Sequence, residues 1–446
     1  MFPLNVGVLT CIGGIILIYV AFNRRSTPYL PGPPSLPILG VALKHPKTEF
    51  WKTYAEWGRK YGYQGLVSFH VLGRRMVVLN SAADAINLLD KRSHIYSDRP
   101  FPTMAGLLMR REKSIFYMHA NYLSARSSYN ERFKMYRKLM HRSFNPSAAQ
   151  MYWKIQEQEA RILVDNIVKF PEKLVEHLRR NAAAVIMKIA YGYPVTRNDD
   201  HFVVTAEEHM RIGSLVGAPG KWIVDSLPFL RFLPEWFPGA GFKRQARQWS
   251  EEMYLQFLEP HNWVKQQIAA ETAVPSFTST LLRPSDGPPA DAEAEDLILW
   301  AAGGSTVSAT TTFFFAMMMY PAVQRRAQAE VDAFFAAENR IPTLHDQAAF
   351  PYLACVIKEV LRWAPATPIG LFHCTSQPDT YKQFLIPAKT TIIPNIWAMM
   401  HDETVYPDSF VFSPERFMGS SPQADPREYA FGFGRRVCAG YATLLL

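Results

Sequence analysis

The chain has 446 residues, of which 48% are hydrophobic and 13% aromatic, and its 48 Lys and Arg against 39 Asp and Glu give a formal net charge of +9. That apolar share excludes a disordered chain. The basic residues are scattered in pairs, with no long run and no zinc-finger or aromatic nucleic-acid signature, which argues against a nucleic-acid partner. Cys11, Cys355, Cys374 and Cys438 form no CxxC pair, so reduced thiols are favoured over a zinc knuckle or a disulfide framework.

Residues 4–22, LNVGVLTCIGGIILIYVAF, carry no charge and are about as long as a helix needs to span a hydrocarbon core of roughly 30 Å. Arg24 and Arg25 follow directly, on the side that holds the rest of the chain in the cytosol and opposite to the basic region of a cleavable signal peptide. The expected organisation is a transmembrane anchor over 1–23, a Pro-rich hinge over 24–42 and a globular body over 43–446. YLPGPPSLPILG (29–40) reads as a stiff, extended spacer.

Within the body, GLVSFHVLGRRMVVLN (65–80) predicts a β-hairpin turning at Gly73, and 82–91 predicts a helix. Helical periodicity then dominates, with segments at 132–144, 153–170 and 179–192. Asp291, Glu293 and Glu295 suit the positive start of a helix expected to run through LILWAAGGSTVSATTTFFFAMMM. Apolar nearly all round, it reads as a core helix; a second membrane span is the competing reading, against which stand its Gly-Gly-Ser-Thr centre and its threonines.

In YLACVIKEVLRWAP (352–365), Leu353, Val356, Ile357, Val360 and Leu361 form one helical stripe, and Glu359 and Arg362 lie side by side. From these residues alone a surface ion pair of small value is as good a reading as a special role. YKQFLIPAKTTIIP (381–394) adds strand character, so the fold class is mainly α with a minor β part.

The E-x-x-R helix is followed by FSPERFMG (412–419) and then by FGFGRRVCAG (431–440). This succession resembles the cytochrome P450 family: Phe431, Gly434, Arg436, Cys438 and Gly440 fill every fixed position of F-x-x-G-x-R-x-C-x-G. The resemblance extends back through YSDRP (96–100) to the apolar N-terminus and looks nearest to fungal membrane-bound members of the O-methylsterigmatocystin oxidoreductase type. It implies the cytochrome P450 fold, a helix-rich haem domain with small β-sheets behind one transmembrane helix.

By that resemblance the cofactor is haem b, with the Cys438 thiolate as axial iron ligand. Glycines 432, 434 and 440 would let backbone approach the porphyrin. Arg436, Arg137 and His373 would meet haem propionates, and Glu359, Arg362 and Arg416 would form a buried network fixing the cysteine loop. Phe133 stands four residues before Arg137, where the family usually has Trp. The oxygen-activating pattern A-G-x-(D/E)-T appears as Ala302-Gly303-Gly304-Ser305-Thr306, with Ser305 in place of the acid. Thr306 and Ser305 are the implied catalytic hydroxyls of a proton relay. A register taken from the downstream VSA puts Gly304 at the acid and Ser305 at the threonine.

The implied function is a monooxygenase that inserts one atom of O2 into an apolar small-molecule substrate of secondary or xenobiotic metabolism. Electrons would come from NADPH through cytochrome P450 reductase, with cytochrome b5 as a further donor, and the anchor would sit in the endoplasmic reticulum membrane. Lys134, Lys138, Arg142, Arg325 and Arg435 suit either a reductase docking face or a solvated surface. Family members continue past the cysteine loop, so a C-terminal truncation at Leu446 is expected, and with the missing acid it supports a rival reading as a haem-binding but inactive relic. A Cys/His hydrolase built on Cys438 lacks a nucleophile elbow.

Overall fold

The computed structural model describes residues 27–118, 131–218, 220–285, 287–302 and 308–438. The expected anchor therefore lies outside the described residues, as do Ser305, Thr306 and Gly440.

Strands β1 (Leu66–Val71) and β2 (Arg74–Leu79) form the expected hairpin, with Leu66 opposite Leu79 and Val71 opposite Arg74. Leu72 and Gly73 both take positive φ, 48° and 81°, the two-residue turn whose twist matches that of paired strands. Four further strands come late in the chain: β3 (His373–Cys374), β4 (Asp379–Tyr381), β5 (Phe384–Ile386) and β6 (Thr391–Pro394). One sheet has the order β1-β2-β6-β3, with β2 and β6 parallel, and β4-β5 form a second hairpin.

The period of two along these strands divides their side chains between two cores. Leu66, Val77, Leu79 and Ile392 pack with Leu88, Leu89, Tyr96 and Ile386, while Val67, Phe69, Val78 and Ile393 pack with Tyr54 of helix α1 (Phe50–Tyr61). The Pro-rich segment lies along this sheet: Ser68 donates from its backbone N to Pro31 O at 2.9 Å and from Oγ to Leu30 O at 2.6 Å. A side chain at Gly32 would place its Cβ 1.6 Å from Ser68 O, so the close approach requires glycine there. The spacer is thus fixed to the body from Pro28 onward, where Pro28 O accepts from Leu385 N.

The principal helices are α2 (Glu131–Phe144), α3 (Trp153–Lys169), α4 (Leu174–Tyr191), α5 (His201–Gly217), α6 (Gly241–Ala269), α7 (Ala292–Ala301), α8 (Ser308–Met319), α9 (Pro321–Glu338) and α10 (Pro351–Trp363). Helix α7 starts as its acidic first turn predicts, with Asp291 Oδ1 accepting from Ala294 N at 2.8 Å. Its Leu297, Ile298, Leu299, Trp300 and Ala301 pack with Phe133 and Tyr136 of α2 and Phe257 of α6.

The expected single core helix is described as two pieces, α7 and α8, on either side of 303–307. The far end of α8 departs from the core expectation, because Met318 and Met319 are exposed although Ala316 and Met317 are buried. Among the described residues no helix is long and apolar enough to cross a membrane.

Candidate functional site

The cysteine loop is shaped by two glycines with different reasons for being there. Gly434 has φ 53° and its Cβ position would lie 2.2 Å from Leu89 O, so both conformation and space demand it. At Gly432, φ is 82° but the nearest atom to an added Cβ is 3.7 Å away, so conformation alone makes the demand. Phe433 between them is buried in the core with Leu88 and Leu89. Cys438 N then donates to Phe431 O at 2.8 Å and closes the loop.

Helix α2 clamps this loop from one side. Arg137 Nη1 donates to Val437 O at 2.6 Å, and one turn earlier the buried Phe133 ring lies 3.7 Å from the Arg436 guanidinium. The phenyl ring that stands in place of an indole thus offers a cation–π face to the arginine of the loop. Arg436 Nε donates to Ser97 O at 2.8 Å, tying the loop to the segment around YSDRP.

That segment brings a residue that the sequence reading assigned no role. Asp98 bridges to Cys374, whose backbone N donates to Asp98 O at 2.8 Å, and Arg99 is thereby set beside β3. Arg99 Nη1 donates to Leu371 O and Phe372 O at 2.8 and 2.6 Å, and His373 Nδ1 donates to Tyr96 O at 2.8 Å. Burial pushes both Arg99 and His373 well below their ordinary values; Arg436 adds to this at Arg99, and both arginines add to it at His373. Asp98 acts in the other direction on Arg99.

Arg99, His373 and the half-buried Arg436 therefore converge, and burial disfavours the charge of Arg99 and His373. An iron porphyrin carries two propionates, and this donor set fits such a dianion, since anions placed there would favour the charged forms of Arg99 and His373. The other described thiols suit an iron ligand less well. Burial pushes Cys374 up to about 12 and also raises Cys355, which lies against Phe417 O, so the thiolate form is disfavoured at both.

Behind the loop, the remaining predicted residues meet. Glu359 and Arg362 on α10 are both fully buried, joined at 2.7 and 2.8 Å in a two-pronged ion pair. Glu359 Oε1 also accepts from Arg416 Nε at 3.1 Å and Ser413 N at 2.8 Å. Arg362 further donates to Met400 O and Ser409 O, and Arg416 to Pro407 O and Gln423 Oε1. Lys134, Lys138, Arg142, Arg325 and Arg435 are all exposed, and Lys134 pairs with Glu131 at 2.6 Å.

Comparison with known proteins adds a direct statement about descent. The family model described as "Cytochrome P450" matches residues 30–442. The chain is 37% identical over 440 residues to cytochrome P450 monooxygenase 208 of Postia placenta, covering 96% of this chain and 83% of that protein. It is 36% identical over 443 residues to cytochrome P450 monooxygenase claR of Ampulloclitocybe clavipes, covering 96% and 79%. With cytochrome P450 monooxygenase COX2 of Coprinopsis cinerea it shares 34% over 449 residues, covering 98% and 83%. The chain belongs to the cytochrome P450 family, the haem-thiolate monooxygenases.

Proposed function

We propose that this monooxygenase holds haem b through Cys438 and inserts one oxygen atom from O2 into an apolar organic substrate of secondary or xenobiotic metabolism. The observation that carries the assignment is the convergence of Arg99, His373 and Arg436 beside a glycine-shaped loop that ends in a thiol. Bound haem supplies the O2-activating iron and its one-electron chemistry.

The chain's own residues then have distinct tasks. Cys438 ligates as a thiolate, while Arg99, Arg436, His373 and Arg137 hold the propionates. Gly432, Gly434 and Gly440 let the loop backbone come close, with Phe431 O bonding the cysteine N–H. Glu359, Arg362 and Arg416 keep the loop's foundation rigid. The hydroxyls of Thr306 and Ser305 would hold and pass protons. Ser305 at the acid position favours a second reading, haem binding without turnover.

Electrons would come from NADPH through cytochrome P450 reductase, with cytochrome b5 as a further donor, and the exposed bases on α2 and at Arg325 and Arg435 support an acidic docking partner. The proposed setting is the endoplasmic reticulum membrane, with residues 1–23 as anchor, 24–42 as hinge and the haem domain in the cytosol. The exposed Ile223, Phe229, Phe232 and Trp236 support a lipid-facing side, together with Ile38 and Leu43 near the anchor's exit.

A carbon monoxide difference spectrum of the reduced, expressed chain tests the assignment. A thiolate-type Soret band that disappears in Cys438→Ala is expected. Its absence in the parent, or its survival in the variant, would overturn the ligand assignment. Turnover with reductase and NADPH separates the enzyme from the haem-binding reading.

A further inference from the structure

Arg111 is 6% exposed, yet its side chain makes no hydrogen bond and no salt bridge among the described residues, and its Nε is buried without an acceptor. Glu112, next in the chain, is not within salt-bridge reach of it. What surrounds the guanidinium is aromatic: the Phe257 ring of α6 at 5.0 Å and the Trp300 ring of α7 at 6.0 Å. A buried unpaired cation is costly, and two aromatic faces offset only part of that cost.

The segment carrying it is held firmly. Lys113 Nζ lies 3.1 Å from both oxygens of Asp296 on α7, and Lys113 O accepts from Tyr136 Oη at 2.9 Å. Trp300 stands two residues before Ala302, which opens the oxygen-activating pattern. The guanidinium thus lies against the helix that leads into the oxygen-activating pattern.

We propose that Arg111 is a specificity-determining residue that pairs with a carboxylate on the substrate, making the preferred substrate an organic acid with an apolar body. This deepens the monooxygenase reading above and rests on it. The guanidinium's fork geometry matches a carboxylate with two parallel hydrogen bonds, and the Phe257 and Trp300 rings flank it without accepting from those donors. Arg111 takes no part in oxygen chemistry in this scheme; it positions the acid end of the molecule.

The test uses the full haem-loaded chain in detergent, with isothermal calorimetry of two matched pairs: dodecanoate with methyl dodecanoate, and 4-phenylbutyrate with its methyl ester. The parent should favour at least one acid over its ester by ~10-fold or more, as a buried charge-assisted bond provides. Arg111→Met should abolish that preference while leaving ester binding in place, and Arg111→Lys should restore part of it. Equal or undetectable binding of acids and esters by the parent, or a preference that survives Arg111→Met, overturns the proposal. The carbon monoxide spectrum of the same samples reports separately on the haem-thiolate reading: a missing thiolate band would fail that reading whatever the acid preference.

Discussion

Two buried charged regions of this molecule are built on opposite terms. Around Glu359 the carboxylate meets Arg362 and Arg416, and the spare donors reach Met400, Ser409, Pro407 and Gln423, so the region is completed by the chain itself. Around Arg99, His373 and Arg436 the donors reach backbone carbonyls, and the charges push against one another. The first arrangement has the economy of a scaffold; the second has the form of a receptor for an anion. The difference shows that burial of charge alone does not mark a functional site, and that the crowding of like charge does.

Breaking the scaffold should cost most. Glu359→Gln leaves two buried guanidinium groups without their carboxylate, and thermal or urea unfolding should register a loss of about 3–5 kcal/mol. Arg99→Met should do something different: little change in the unfolding midpoint, but faster transfer of haem to an excess of acceptor protein, by about the 1.5–3 kcal/mol of a charge-assisted hydrogen bond. If the two variants had interchangeable effects, the contrast between the regions would be lost.

A pH series sharpens the same point. His373 is held below its ordinary value of 6.5, so the folded chain binds fewer protons than the unfolded one, and stability that is full above that value is lost as pH falls below it. The slope from one group is at most about 1.4 kcal/mol per pH unit, and it should be steeper without haem than with it, because a propionate raises the imidazole's affinity for protons. His373→Asn should flatten the difference between the two curves. The smallest effect belongs to Phe133→Leu, which removes the ring under Arg436 and should weaken haem retention by about 1 kcal/mol.

The scaffold was legible through the family resemblance: E-x-x-R by itself sets two charges on one helical face and reads equally well as a surface pair, and P-E-R-F, more than fifty residues on, completes the pattern that implied a buried network. The hairpin, the helices and the acid-capped start of α7 were legible directly, being carried by periods of two and 3.6. Arg99 was not. It stands between Asp98 and Pro100 with no period to mark it, and its role depends on carbonyls at Leu371 and Phe372, far along the chain, that β6 brings alongside through β3. Arg111 escaped similarly, since in sequence it is one of a basic pair, and only the packing of α6 and α7 shows that this half of the pair is buried. The end of α8 was misjudged because an apolar run records composition, and composition does not say which turn of a helix runs out of neighbours.

The central claim, that the second region is completed by haem propionates, is tested most directly by comparing iron protoporphyrin IX with its dimethyl ester in reconstitution of the parent and of Arg99→Met. The account predicts that the parent binds the free acid ~10-fold or more tightly than the ester, and that the variant narrows the gap. Equal affinity of the parent for acid and ester would contradict it.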